Sequence, residues 1–482
     1  MTVKKAMNNL KHFLMLKHGT GSQFVVTAGG YDLQCDEIVR LLPGRRLVAT
    51  AVWNGQVAIA KLFMSRRAKS HMQRELLGFE VLKKIGLSVP KLIYSGETDV
   101  KGLYVVAYEK LDIAESVDKV WKGDNADELF EFLKQAHEIL VKQHTHHIHQ
   151  ADLHPHNFLI TKQTVYSIDY STLVVDKALS QQDELNILAG FYAQLHIKHH
   201  HLLEQAFTHY AELRGWKVDQ ALIDRLRKAE WCRRYERIKR LRKRLSRNSS
   251  AVMYQRGLLT THAVIRGNYQ HYVNDFFELP HEYLRSTVAF PMKLGNSTSV
   301  FEIAFPGHHL MIKRFNVKNI WHWLRRCWRT SQAKKAWING NILHMLGLPV
   351  QAPVAFYEHH VLGLTAGGYY IARYIEGELL KDYVTKKLSE ESMSNIVERV
   401  FSVFSQLYTA QICHGDCKAS NFIVSSKGQV VLIDIDHVKL YKNVESFRRQ
   451  FAKDIKRFLR NWKDDSVFKQ RMIEKLKKLE LN

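Results

Sequence analysis

The sequence predicts an α+β chain of two tandem bilobal domains, and three observations carry that prediction. The 482 residues exceed one ordinary domain and suit two. The hydrophobic share of 46% fills two cores and leaves no long stretch of disorder-prone composition. One order of segments also occurs twice. A strand-like run ending in Lys is followed by a helix, a Pro-marked strand, a long helix, an Asp-rich loop and a short apolar strand ending in Asp. The first pass runs from about Arg40 to Tyr170 and the second from about Lys293 to Asp436. Repeats this long read as duplicated domains, because solenoid repeats are far shorter. The expected bounds are 1–247 and 251–482, with Arg247-Asn248-Ser249-Ser250 as the linker.

In the first copy, Val57-Ala58-Ile59-Ala60-Lys61-Leu62-Phe63 is the strand that brings Lys61 to a phosphate. The helix around Gln73–Glu80 offers Glu75 to hold that Lys, with Glu80 in reserve, and Gly86-Leu87-Ser88-Val89-Pro90 ends it. Ile148 to Ile160 contains Asp152 and Asn157, spaced and followed by an apolar strand as in the catalytic loop of kinases. Such a loop needs an Asp to orient the acceptor hydroxyl and take its proton, and an Asn oxygen for Mg²⁺. Val165-Tyr166-Ser167-Ile168-Asp169 then supplies a second metal-binding carboxylate, so Asn157 and Asp169 are the expected Mg²⁺ ligands. Each element alone is weak, and the ordered set is specific. Gln150 stands where a kinase places His, which loosens the loop and makes this copy the candidate for a degenerate one.

The second copy is cleaner. Lys293-Leu294-Gly295-Asn296-Ser297 reads as a turn over phosphates, with Gly295, Asn296 and Ser297 as ATP-binding candidates. Leu310-Met311-Ile312-Lys313 gives the phosphate-pairing Lys313. Cys413-His414-Gly415-Asp416-Cys417-Lys418-Ala419-Ser420-Asn421 places Asp416 as base, Lys418 against charge on the moving phosphoryl group, and Asn421 as metal ligand. Val430 to Asp436 adds Asp434 as the second ligand and Asp436 as an auxiliary. Asn339 stands where a helix Glu is wanted.

The net charge of +24, from 71 Lys plus Arg against 47 Asp plus Glu, predicts attraction to polyanions. No nucleic-acid recognition module is present to use it. Arg225 to Arg247 reads as a basic amphipathic helix closing the first domain, suited to an anionic surface. Five cysteines without a Cys-x-x-Cys pair suit a reduced, cytosolic compartment. Met1 to Leu16 lacks the pattern of a secretory signal, and no apolar run is long enough to span a bilayer. The many histidines, among them His144, His146, His147, His149, His154, His156 and His199 to His201, are expected on the surface and not on zinc.

The run Ile312 to Asn319, Arg325-Arg326, Ala333-Lys334-Lys335-Ala336-Trp337, Gly347-Leu348-Pro349, His414-Gly415-Asp416 and Phe451 to Trp462 resembles the lipopolysaccharide core kinases, the Kdo kinase and WaaP heptose kinase family. The resemblance covers about Leu294 to Trp462 and is thinner in the first half. There, Asp152-Leu153-His154-Pro155 is also similar to aminoglycoside phosphotransferases. It implies a protein-kinase-like fold in each domain. It also implies ATP- and Mg²⁺-dependent phosphorylation of a sugar hydroxyl, a heptose or Kdo, in the lipopolysaccharide inner core. It further implies a Gram-negative bacterium and a peripheral site at the cytoplasmic face of its inner membrane. Trp321, Trp323 and Trp328 interleaved with Lys318, Arg325, Arg326 and Arg329 suit a phosphorylated sugar chain on a lipid. The rivals are a protein Ser/Thr/Tyr kinase, against which the missing Ala-Pro-Glu segment counts, and a pseudokinase scaffold that binds or regulates core assembly. Oligomeric state is not legible.

Overall fold

Alternating apolar residues and Asn-Gly-type turns build the sheets. Arg46–Trp53 buries every second residue from Leu47, and Asn54-Gly55 joins it to Gln56–Phe63. Both turn residues have positive φ, 46° and 73°, as a two-residue hairpin of right-handed twist requires. Leu362-Gly363 repeats the device between Pro353–Val361 and Leu364–Arg373. The computed structural model describes residues 5–6, 13, 23–113, 115–162, 164–175, 178–267, 269–286, 289–296, 298–305, 308–316 and 328–480. Helix and sheet are mixed throughout, as an α+β chain requires. The residues fall into two units, Met1–Gln194 with His201–Arg233, and Leu195–His200 with Arg234–Asn482.

In the first unit the sheet order is Lys5–Ala6, Phe24–Ala28, Tyr31–Leu42, Arg46–Trp53, Gln56–Phe63, Tyr104–Glu109, Leu92–Glu97. The Lys61 strand therefore lies inside the sheet, between Arg46–Trp53 and Tyr104–Glu109. The helix Ala68–Lys84 follows it and buries Ala68, Met72, Glu75, Phe79 and Leu82 at helical spacing. The long helix Ala126–Thr145 comes next, then the loop of Asp152, and then the hairpin Phe158–Ile160 with Val165–Ser167.

The second unit repeats this order. Its sheet runs Val252–Arg256, Thr260–Ile265, Pro353–Val361, Leu364–Arg373, His308–Phe315, Thr298–Phe305, Ala289–Lys293. Lys313 is again on an interior strand. The helix Gln332–Met345 buries Ala333, Ala336, Trp337, Gly340 and Leu343, and its Ser331 cap accepts from Lys334 N–H. Glu390–Thr409 leads to the Asp416 loop and to the hairpin Phe422–Ser425 with Val430–Leu432.

The division between the units falls at Arg233/Arg234, inside the helix Gln220–Leu245, and not at 247. The reason is apolar: Ile238, Leu241 and Leu245 pack in the core of the second unit with Trp337 and Phe356. The expected linker is also bound to the second unit, where Arg266 donates to Ser249 O and Asn248 Oδ1.

Not all the histidines are on the surface. His137, His144 and His199 are buried. His144 Nδ1 lies 2.6 Å from Tyr210 Oη, which donates to Glu184 at 2.6 Å, and Arg214 closes the network on Glu184 at 2.7 and 2.9 Å. His137 Nε2 lies 2.8 Å from Tyr192 Oη. Burial pushes His137 down to about 3 and His144 down to about 4. Both are neutral in the fold, whereas the unfolded chain protonates them near 6.5. The unfolded state thus binds more protons below that pH. Stability from these two groups is full above it and falls as the pH drops toward 4 and 3. Two groups lose roughly 3 kcal/mol in all between pH 6.5 and pH 5. Thermal melts at pH 7.5 and 5 are expected to differ accordingly, with a His137→Gln variant showing a shallower dependence. A slope that the variant leaves unchanged contradicts this reading.

Candidate functional site

In the first unit, Lys61 Nζ donates to Glu75 in a buried pair, and Asp169 Oδ1 lies 3.9 Å from the same nitrogen. The helix stripe explains the pairing, because it places one carboxylate among apolar residues and facing the sheet. Tyr108 and Tyr170 rings flank the Lys at 5.7 and 5.6 Å. Gly78 lets the helix lie against the Asp169 turn, since a Cβ there would fall 2.3 Å from Tyr170 O. Asp169 sits in the left-handed region at φ 66°. Arg46 donates to it at 3.3 Å. Burial raises its carboxyl, but Lys61 and then Arg46 outweigh that and hold it below the usual range. Asp152 is exposed at the loop tip. Asn157 donates its amide to Gln150 Oε1 at 2.6 Å and to Asp152 O at 2.9 Å. Gln150 thus does not loosen the loop as expected. Buried, it takes up the support directly. Glu80 is exposed and takes no part.

The second unit repeats much of this with different partners. Asn421 donates to Asp416 O at 2.8 Å, and Ile433 N–H donates to Asn421 O at 2.9 Å. The first unit has the same link, Ile168 N–H to Asn157 O at 2.8 Å. Asp434 is left-handed at φ 58°. Lys313 donates to Asp434 and lies 3.9 Å from Asp436. Asn339 does not take the place of the missing helix Glu. Its amide donates to Ile435 O at 2.9 Å and Val438 O at 3.1 Å, pinning the Asp434 turn instead of the Lys. Gln332 and His437 hold Asp436 at 3.1 and 3.3 Å. Burial raises Asp434. Burial also acts to raise Asp436, but hydrogen bonds from His437 and Asp434 prevail and lower it. His437 is raised, first by its bond to Asp436. A cavity of about 270 Å³ opens beside Asp436, lined also by Phe315, Asn316, Gln332 and His437.

Two residues here escape the sequence reading. Asp454, buried on the helix Val444–Leu459, accepts from Gly415 N–H at 3.1 and 3.2 Å and so braces the loop before Asp416. Arg457, one turn on, pairs with Asp416 Oδ1, while Lys418 holds Oδ2 at 3.1 Å. A charged residue on the buried stripe of that helix, Asp454 beside Phe451, Ile455 and Phe458, was the available signal. His414 is fully buried, bonded to Ile433 O at 3.0 Å, and kept low by burial. Gly295 O accepts from Asn316 at 3.0 Å, which ties down the phosphate-turn candidate with Asn296, while Ser297 lies outside the described residues. Trp321, Trp323, Lys318, Arg325 and Arg326 lie outside them too, and Trp328 is exposed.

The donors suit Mg²⁺. The Asn421 amide nitrogen is used within its own loop, on Asp416 O, and the buried Asp436 Oδ1 has no hydrogen-bond partner. Mg²⁺ takes a few hard oxygens plus phosphate; among the described residues no cluster of three His, Cys, Asp or Glu forms. Asn157 and Asp169 offer the same pair in the first unit. Among the described residues no helix is long and apolar enough to cross a membrane, and Cys35, Cys232, Cys413 and Cys417 are unbridged.

No curated protein matches the chain. Residues 298–479 match the model of the Lipopolysaccharide kinase (Kdo/WaaP) family. That stretch makes up most of the second unit, which is similar to the lipopolysaccharide kinase (Kdo/WaaP) family, a family of phosphotransferases.

Proposed function

We propose that the second unit moves the γ-phosphoryl group of ATP to a hydroxyl of a heptose or Kdo sugar in the lipopolysaccharide inner core. The observation that carries the proposal is the meeting of Lys313, Asp416, Asn421, Asp434 and Asp436, drawn from separate segments and tied together through Ile433 and Asn339. The acceptor oxygen attacks the γ-phosphorus and its proton passes to Asp416. The bond to the β-bridging oxygen breaks, and ADP leaves with the electron pair. Lys313 meets the ATP phosphates, the Gly295-Asn296 turn covers them, and Lys418 faces the charge that develops in transfer. Asn421, Asp434 and Asp436 would hold Mg²⁺, which when bound neutralises phosphate charge. His414 and Asp454 keep the loop in place.

The first unit is a second protein-kinase-like domain on the same plan. Its Lys61, Asp152, Asn157 and Asp169 take the matching parts, and the buried Lys61–Glu75 pair supports a binding-competent Lys. The charge of +24 and the family of the second unit support a peripheral position on the anionic cytoplasmic face of a Gram-negative inner membrane. Purified full-length protein with radiolabelled ATP, Mg²⁺ and defined core oligosaccharides is expected to label the saccharide. Label on added protein substrates alone contradicts the proposal.

A further inference from the structure

Both carboxylate oxygens of Asp416 carry a cation, Arg457 on one and Lys418 on the other. A carboxylate so engaged is a poor partner for an incoming sugar hydroxyl. Lys418 belongs to the loop itself. Arg457 comes from elsewhere, on the helix Val444–Leu459, and its side chain is 45% exposed. It can swing away into water, while Lys418 stays on the other oxygen of Asp416.

Arg457 is also one edge of a larger feature. Arg449, Lys453, Lys456, Arg457 and Arg460 fall at i, i+4, i+7, i+8 and i+11, which is a single face of a helix. All five are exposed, and Phe447, Phe451, Ile455 and Phe458 occupy the opposite, buried face. Among the described residues, none of Arg449, Lys453, Lys456 or Arg460 pairs with a carboxylate. The stripe therefore spans roughly 16 Å of the helix at 1.5 Å per residue, with Arg457 meeting the carboxylate beside the reacting atoms. Unbalanced like charge on one face repels itself, so its complement is a ligand of opposite sign.

Building on the phosphotransferase reading above, we propose that Arg457 is a specificity-determining residue that selects anionic acceptors. A phosphate ester or carboxylate on the acceptor, near the hydroxyl that reacts, draws Arg457 off Asp416. That frees the carboxylate to receive the hydroxyl proton, and Lys453 and Lys456 hold further negative charge on the same molecule. An acceptor without such a group leaves the base covered. Water leaves it covered as well, which limits wasteful ATP hydrolysis.

The test uses the full chain with paired acceptors differing in one anionic group. One pair is a phosphorylated core oligosaccharide and its phosphatase-treated form, and the other is a carboxyl-bearing oligosaccharide and its carboxyl-reduced form. The wild type is expected to favour the charged member by about 10- to 100-fold in kcat/KM. Arg457→Ala should bring that ratio to within about 3-fold and raise acceptor-free ATP hydrolysis. Lys453→Ala/Lys456→Ala should raise KM for the charged member alone. Without nucleotide, the charged acceptor should raise the melting midpoint of the wild type and not of Arg457→Ala. An equal loss on both members with ATP hydrolysis unchanged overturns the proposal, as does a wild type without preference. If Arg457→Ala does not fold, an unchanged KM in the Lys453/Lys456 variant overturns it. If the wild type labels no saccharide, the functional reading itself fails. ATP hydrolysis in Arg457→Ala then still decides, and no rise rejects the covering role.

Discussion

Asp416→Asn is expected to lower phosphoryl transfer by the second unit by about 10²- to 10⁴-fold in kcat, the range for losing a positioned general base. The substitution keeps the shape of the side chain. The Asn421 bond runs to the backbone oxygen of residue 416 and is untouched, and Asp454 still braces Gly415. Arg457 and Lys418 lose their partner, but both are 45% exposed, so stability should shift by less than about 1 kcal/mol. Activity and folding thus separate cleanly. A melting midpoint near wild type with a collapsed kcat supports the role, and a kcat within about 3-fold of wild type rejects it. Asp152→Asn at the exposed tip of the first loop should likewise leave stability alone. Its effect on kcat measures how much transfer the first unit carries.

Glu75→Ala is expected to produce the largest loss of stability, about 3–5 kcal/mol in the first unit. Glu75 is fully buried, and the Lys61 side chain it neutralises is only 11% exposed. Removing the carboxylate leaves an ammonium beside the apolar stripe of Met72, Phe79 and Leu82, with Asp169 at 3.9 Å as its remaining counter-charge. Glu75→Gln should cost less, because the amide oxygen still accepts from Lys61. Denaturant unfolding of the full chain should show an early transition in the Ala variant. A midpoint unchanged from wild type means that the pair is not what holds the strand to the helix. Among the described residues of the second unit no such Lys–Glu pair forms, and Asn339→Ala should cost only about 1–3 kcal/mol through two unmade carbonyl bonds.

Much of this site was legible because its chemistry is spaced locally. Asp416 and Asn421 share one loop, Asp434 ends the next strand, and Lys313 ends an apolar run, so residue type and order were sufficient to single them out. Glu75 was legible for another reason, as a carboxylate on a helix following the Lys strand. What sequence could not supply were the long-range partners. Asp454 and Arg457 reach the loop from 39 and 41 residues away, and nothing local marks their direction. Arg46 reaches Asp169 across 123 residues. Gln150 and Asn339 read as departures from the general kinase pattern, yet each side chain satisfies a buried carbonyl or amide, which only a packed structure reveals. The domain boundary was misplaced because a basic helix looks alike on both sides of the point where its apolar residues change core.

The most direct measurement is the phosphate content of the lipopolysaccharide core, by mass spectrometry, in cells carrying Asp152→Asn, Asp416→Asn or both in place of the wild-type protein. Loss of a core phosphate in the Asp416→Asn cells, complete in the double variant, is the expected result. A double variant whose core carries the same phosphate as wild type would contradict the assignment of this chain to core phosphorylation.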